Sequence, residues 1–470
     1  MTERSHDVDV AIVGGGIAGL VAAYRLSQQA PHLRVALLER EQRWGGKLLT
    51  EYPDGFVVEG GADSFLASKP EALNLCRELG LEQQLISTNQ ELQRTFVVRE
   101  GFLVQIPEGL SGLVPARLEP FLDSDLLTTG GKERVRQELE IPRRTDGVEE
   151  TLAGFIVRRF GQEVYDRLIE PLMSGIYAGD GNKLSVEATF PQLPRLEHEY
   201  GSVILGMQQQ ATQTPSHPGP GFLTPRRGLA VLIQALETSL PRSVLQPGME
   251  ATAIRRTYGG YAVRINHHSD LHAKSVILAV PAYRAAALVA GLDIDLAHLF
   301  ESIPCISTAT VVAAFPRDRV DDPLRGFGYL VPRSEGGQIL ACTWTSSKFV
   351  DRAPAGHVLL RAFVGRAGQE EIVDSSDANI EDVVRTELRL RLDIRARPEF
   401  IHIYRWPKAM PQYVLGHGQR VGLIRQNIGR FPGLSVAGHA YGGVGIPDCI
   451  RSGSEAAATT VARLAHLARH

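Results

Sequence analysis

Cysteine is scarce and scattered in this chain. Four occur in 470 residues (Cys76, Cys305, Cys342 and Cys449), and none forms a CxxC pair. That spacing argues against a disulfide framework or a cysteine zinc site and suits a reducing compartment. An excess of one charge is also lacking. Fifty Lys and Arg stand against 53 Asp and Glu, a net charge of −3, so nothing in the balance points to nucleic acid. No apolar run reaches the 18 or so residues of a membrane-spanning helix. The apolar stretch from Val10 to Ala23 holds four glycines and follows Asp7 and Asp9, unlike a signal peptide with its basic start. HExxH, GxSxG and P-loop motifs are missing, and His267, His268 and His272 are expected in a solvated loop rather than on a metal.

With 43% hydrophobic and 22% charged residues, the chain can bury a large core, and its length suggests about two to four domains. Glycine is what it has in excess: 47 of 470, against about 7% in ordinary proteins. Residues 8–13 (VDVAIV) read as a buried parallel strand. Gly14-x-Gly16-x-x-Gly19 follows and opens an amphipathic stretch to about Gln29; Leu33–Glu39 is then a second buried strand ending in an acid. Each part has a physical job in binding a dinucleotide. Gly14 permits the tight turn, Gly16 lets a pyrophosphate approach the backbone, and Gly19 lets helix pack on strand. The helix N-terminus supplies free N–H groups, and Glu39 can accept from ribose hydroxyls.

After Glu39 comes Arg40, then Arg43-Trp44-Gly45-Gly46-Lys47. This acid, spacer and Arg-x-Gly-Gly resembles the FAD-binding segment of glutathione-reductase-like and amine-oxidase-like flavoproteins. Gly55–Phe65 adds a second Gly-Gly approach point. Near the other end, Leu434–Ala437 reads as a strand and Gly442, Gly443 and Gly445 as a loop. Pro447 suits a helix's first turn, and the helix is expected through Ser454–Ala465. Glycine loops at both ends imply one nucleotide domain built from discontinuous segments. Met249–Thr257, Tyr261–Ile265 and Ser275–Pro281 read as a three-stranded meander of that domain. Val148–Tyr177 is a long amphipathic pattern broken at Pro171, whose apolar face is expected to pack on the core, and 212–221 (TQTPSHPGPG) is a loop at a segment boundary. The expected architecture is α/β (α+β overall), with a Rossmann-like FAD-binding domain over 1–90, 225–290 and 415–470. A mainly helical domain over 91–224 and a substrate-binding β-sheet domain over 291–414 are inserted. No second GxGxxG serves NAD(P)H, so electrons must come from the substrate and leave to oxygen or another acceptor.

Four blocks carry a narrower resemblance: Ile169–Leu193 (IEPLMSGIYAGD…), Gly326–Gly337, Arg405–His417 and the segment AGHAYGGVGIPDCIRSG from Ala437. They resemble the protoporphyrinogen/coproporphyrinogen oxidase family over essentially the whole chain. The resemblance implies FAD contacts at Gly14, Gly15, Gly16, Ile17, Ala18 and Gly19, at Glu39, Arg40 and Lys47, and at Gly61, Ala62, Asp63 and Ser64. Further contacts fall on Ala251, Trp406, Val444, Gly445 and Ile446. It puts the substrate pocket at Ser174, Gly175, Ile176, Tyr177, Phe327, Leu330 and Met410, with Lys69 and Arg94 as candidate partners of propionates. No catalytic side chain is assigned, because the flavin accepts a hydride from a methylene bridge. Oxygen then takes the electrons as hydrogen peroxide, over three cycles. A cytoplasmic monomer or homodimer follows from the same resemblance, with peripheral membrane contact left open. An amine oxidase or a carotenoid desaturase on the same fold is the alternative, and a non-catalytic binding protein a more distant one.

Overall fold

The computed structural model describes residues 7–107, 110, 111, 114, 115, 118–213 and 221–467; positions 214–220 of the expected loop at 212–221 lie outside them. Strands Val8–Val13 and Val35–Glu39 are short and largely apolar, the first rich in β-branched residues, so both faces can be covered. They pair in parallel, Val10 with Val35 and Val13 with Leu38. Leu245–Pro247 extends the sheet on one side, and Ser269–Leu278 and then Leu434–Val436 extend it on the other. The first half of Ser269–Leu278 instead pairs antiparallel with Gly260–Ile265, which pairs with Ala251–Thr257. The meander is therefore present, but its last strand starts at Ser269, earlier than the pattern suggests. Left-handed Asn266 and His267 (φ 48° and 62°) make the turn tight, leaving His272 on the strand rather than in a loop.

Helix Ile17–Gln29 packs on one face of this sheet beside the C-terminal helix Ile446–Leu467. A Cβ on Gly453 would lie 2.3 Å from the Ala18 carbonyl oxygen, so the helix is glycine there to let the two approach. That helix begins at Ile446 rather than Ser454. Pro447 fits its first turn, and the Asp448 carboxylate accepts from Gly445 N at 3.2 Å. Helices Ala282–Val289, Ile294–Glu301 and His417–Ile428 cover the other face, so the nucleotide-side core runs past the expected boundary at 290.

The second sheet has seven strands in the order Phe400–Pro411, Cys305–Pro316, His357–Val364, Ile339–Trp344, Gly328–Leu330, Thr95–Arg99 and Phe102–Gln105. The last two fall in the segment expected to be mainly helical. They form a hairpin because Glu100 and Gly101 both take positive φ, and Thr95 pairs in parallel with Gly328.

In the helical layer the break falls at Gly161 (φ 95°), after Leu152–Phe160. Pro171 causes no break. It follows directly on a π-turn, Tyr165–Ile169, in which Glu170 N–H donates to Tyr165 O, and the widened turn accommodates the ring. Leu152, Phe155, Ile156 and Phe160 are buried with Met173, Leu193 and Leu196, as a core-packing face requires. Among the described residues, no helix is long and apolar enough to cross a membrane.

Candidate functional site

The parallel strands end where the first glycine turn begins, and that turn is held by its own backbone. A Cβ on Gly14 would sit 2.5 Å from Ala279 O, and one on Gly19 would sit 1.9 Å from Gly14 O. Gly15 is covered by the Trp44 ring, and its N–H donates to Glu39 Oε2 at 2.7 Å. Gly16 differs: a Cβ there meets nothing within 4 Å. It is the open point of the turn, as approach of a phosphate to the backbone requires. Gly45 N donates to Gly15 O, tying the Arg-x-Gly-Gly segment to the turn. Met249 N donates to Glu39 O, which brings Ala251 to the same edge. Arg40 lies outside on the surface, paired with Glu41 at 3.1 Å.

Lys47 gives the cradle its charge. Its ammonium donates to the Ala409 carbonyl and, at 2.8 Å, to Nε2 of His439, and no carboxylate lies within ion-pair reach among the described residues. Burial pushes the ammonium down to about 8, and burial with Lys47 alongside pushes His439 down to about 3. An enclosed cation with only neutral partners suits an anion such as a diphosphate, so the residues present fit a dinucleotide.

Gly60 to Ser64 join this cradle to the second sheet. A Cβ on Gly61 would sit 1.8 Å from Lys47 O. Trp406 donates from Nε1 to Gly60 O at 2.9 Å, and Arg361 donates to Gly61 O. The Asp63 carboxylate pairs with Arg361 at 2.9 Å and Lys348 at 3.0 Å. Burial alone would raise that carboxyl, but the two cations hold it well below the usual carboxylate range. Asp63 is thus engaged with the protein, while Ala62 beside it is exposed.

The C-terminal loop reaches the site from the other side. Val444, Gly445 and Ile446 lead into the last helix, and Tyr413 holds the loop by donating to His439 O at 2.5 Å and accepting from Gly443 N at 2.9 Å. Asp448, 4% exposed, pairs with Lys69 at 2.7 Å and Arg451 at 3.1 Å.

The expected substrate residues divide. Gly175 and Ile176 are on the exposed side of helix Glu170–Tyr177. Ser174 faces inward and donates to Glu170 Oε1 at 2.8 Å, and Tyr177 is buried between Phe190 and Tyr413. Leu330 lies against Gly175 and, with Met410, packs on Ala178, Ile306, Leu340 and Ala341 in one apolar wall. Arg94 is exposed and adjoins Phe327, whose N–H donates to Arg94 O at 2.7 Å. Lys69 is engaged by Asp448. Residue spacing did not find Lys348, Arg361, Tyr413, His439 or Asp448. Of these, only Asp448 carried a signal, as an acid in a helix's first turn.

The family described as flavin containing amine oxidoreductase matches residues 17–460. Coproporphyrinogen III oxidase of Bacillus subtilis (strain 168) is 36% identical over 95% of this chain and 96% of its own length. Protoporphyrinogen oxidase 1, chloroplastic, of Arabidopsis thaliana is 31% identical over 96% of this chain and 87% of its own. A solved structure from Exiguobacterium sp. 255-15, provisionally named protoporphyrinogen oxidase, superimposes with a TM-score of 0.86 at 33% identity, covering 98% of this chain and 100% of that one.

Proposed function

The chain belongs to the flavin containing amine oxidoreductase family, and from that premise we propose that it binds FAD and oxidises a porphyrinogen, coproporphyrinogen III or protoporphyrinogen IX, to its porphyrin. One observation carries the reading. The strand Phe400–Pro411 serves cradle and pocket together: Trp406 ties down Gly60, the Ala409 carbonyl accepts from Lys47, and Met410 enters the apolar wall with Leu330. A substrate against that wall is therefore beside the cofactor cradle. The relative at 36% identity is named for coproporphyrinogen III and the one at 31% for protoporphyrinogen, which favours the substrate with four propionates.

Bound FAD supplies the two-electron chemistry. This chain's residues orient and enclose. The apolar wall suits a flat macrocycle and limits water, while Arg94, exposed and joined through its carbonyl to Phe327 N–H, is the candidate cation for a propionate. The Lys69 ammonium, about two-fifths exposed, keeps a donor free for a propionate while it stays paired with Asp448. Removing six hydrogens from the porphyrinogen consumes three O2 and yields three H2O2. We place the reaction in the cytoplasm. The test is to supply coproporphyrinogen III and protoporphyrinogen IX in air to flavin-loaded protein and follow porphyrin fluorescence. Turnover of either supports the reading, faster turnover of one names the substrate, and no rise above autoxidation refutes it. Turnover of amines instead would favour the amine-oxidase alternative.

A further inference from the structure

One face of the strand His357–Val364 carries Leu359, Arg361 and Phe363, alternate residues that share a side of the sheet. Leu359 packs with Phe56 and Val58, on the run that leads to Gly60. Phe363 packs into the apolar wall with Leu330 and Met410. Arg361 lies between them, 2% exposed, its guanidinium 5.1 Å from the centre of the Phe363 ring. It donates to Gly61 O and pairs with Asp63 at 2.9 Å. A group that spans from cradle to wall therefore passes this arginine.

The charges gathered there do not cancel. Lys348, 14% exposed, pairs with the same Asp63 carboxylate at 3.0 Å. Arg352 is fully buried and donates to Thr224 Oγ1 and to the Pro225 and Arg226 carbonyls rather than to an acid. The second acid is Glu59, also fully buried, which accepts from Thr50 Oγ1 and Leu229 N and is pushed up to about 7 by burial. Among the described residues the cluster thus sets three cations against two acids, an excess of at least one positive charge. Burying a second cation on one carboxylate is a weak device for stability, but in a water-poor interior the charge acts over several ångströms.

We propose that Arg361 and Lys348 raise the reduction potential of bound FAD by placing that positive charge at Gly61. Reduction transfers two electrons and one proton to the FAD ring, which is left with one negative charge near neutral pH. A fixed positive charge favours that form over the neutral oxidised one and makes the ring a readier hydride acceptor. Neither side chain touches the substrate in this role, which rests on the FAD reading above and is independent of which substrate is oxidised. Both act through Asp63 and Gly61.

The test is the midpoint potential of the FAD-loaded protein, read against a reference dye with dithionite supplying the electrons. Lys348→Gln should make the flavin about tenfold harder to reduce, which is about 30 mV for a two-electron couple. Asp63→Asn should shift it by a similar factor in the opposite direction. Lys348→Arg and Arg361→Lys keep the charge and should stay close to the parent. A merely structural cluster would give shifts of one sign, or none, in the two neutral variants, and either result at normal FAD content overturns the proposal. Should Asp63→Asn lose FAD, the contrast between Lys348→Gln and Lys348→Arg decides alone, and equal potentials refute the charge effect. Failure of the parent to take up FAD would sink the flavin reading itself. Failed porphyrinogen turnover with these shifts intact would sink only the choice of substrate.

Discussion

The N-terminal and C-terminal glycine loops approach the same cradle but are held in place by different forces. In the first, backbone meets backbone: Gly14 and Gly19 are glycine because any Cβ would overlap a carbonyl. In the second, side chains fix the loop, with Tyr413 holding its start and Asp448, anchored by Lys69 and Arg451, holding its end. Gly442 there has open space around it. The contrast implies that Gly14 and Gly19 tolerate almost no change, whereas the second loop can be retuned through its partners.

Gly19→Ala should be the most damaging change to this arrangement. With the new carbon 1.9 Å from Gly14 O, helix and turn must separate, at a cost of about 4 kcal/mol or more. Thermal unfolding and flavin content should fall together; a well-folded yellow variant would break the comparison. His417, which starts the helix His417–Ile428 and stacks on the loop-holding Tyr413, gives the next largest effect. Burial, helped by Arg420, pushes it down to about 4 from an ordinary 6.5. The native state therefore resists a proton that the unfolded chain accepts. The resulting stability is complete above pH 6.5 and is lost as pH falls toward 4, on the order of 2–3 kcal/mol. His417→Phe, which can keep the stack on Tyr413, should flatten that stretch of a Tm–pH profile, and an unchanged profile would rule out a buried neutral imidazole.

Asp448→Asn removes the charge that anchors Lys69 and Arg451, both about two-fifths exposed. A loss of about 1–2 kcal/mol in denaturant melts is expected, while Gly445 N keeps an amide oxygen to donate to. Gly442→Ala should stay within about 0.5 kcal/mol of the parent, since nothing surrounds the added methyl. Gly16→Ala sharpens the contrast differently. It should leave the melting of the flavin-free protein almost unchanged yet weaken FAD binding about tenfold in a fluorescence titration. A destabilised flavin-free protein would place Gly16 with Gly14 and Gly19 instead.

Much of the cradle was legible from spacing. Strand, glycines, helix, strand and Glu39 lie within about 35 residues, and each contributes through local backbone geometry. The helix starting at Ile446 was harder to place, because alanine-rich composition marks its middle while its start depends on Asp448 reaching back to Gly445. The hairpin Thr95–Gln105 leaves no mark in the helical spacing around it, because its sheet partner, Gly328–Leu330, is more than 200 residues away. Ser174 and Tyr177 share a motif with Gly175 and Ile176, but helical periodicity turns the two pairs to opposite sides.

The amino-acid order by itself determined the tight glycine turn, its open point at Gly16, and that the sheet carrying that turn is assembled from both ends of the chain. Those properties follow from φ freedom, missing Cβ atoms and hydrophobic period. Only the tertiary structure decided which charges meet: Lys348 with Asp63 across 285 positions, Lys69 with Asp448 across 379, and Lys47 with no acid among the described residues. Such pairings depend on how distant segments are brought together, and no local pattern records that.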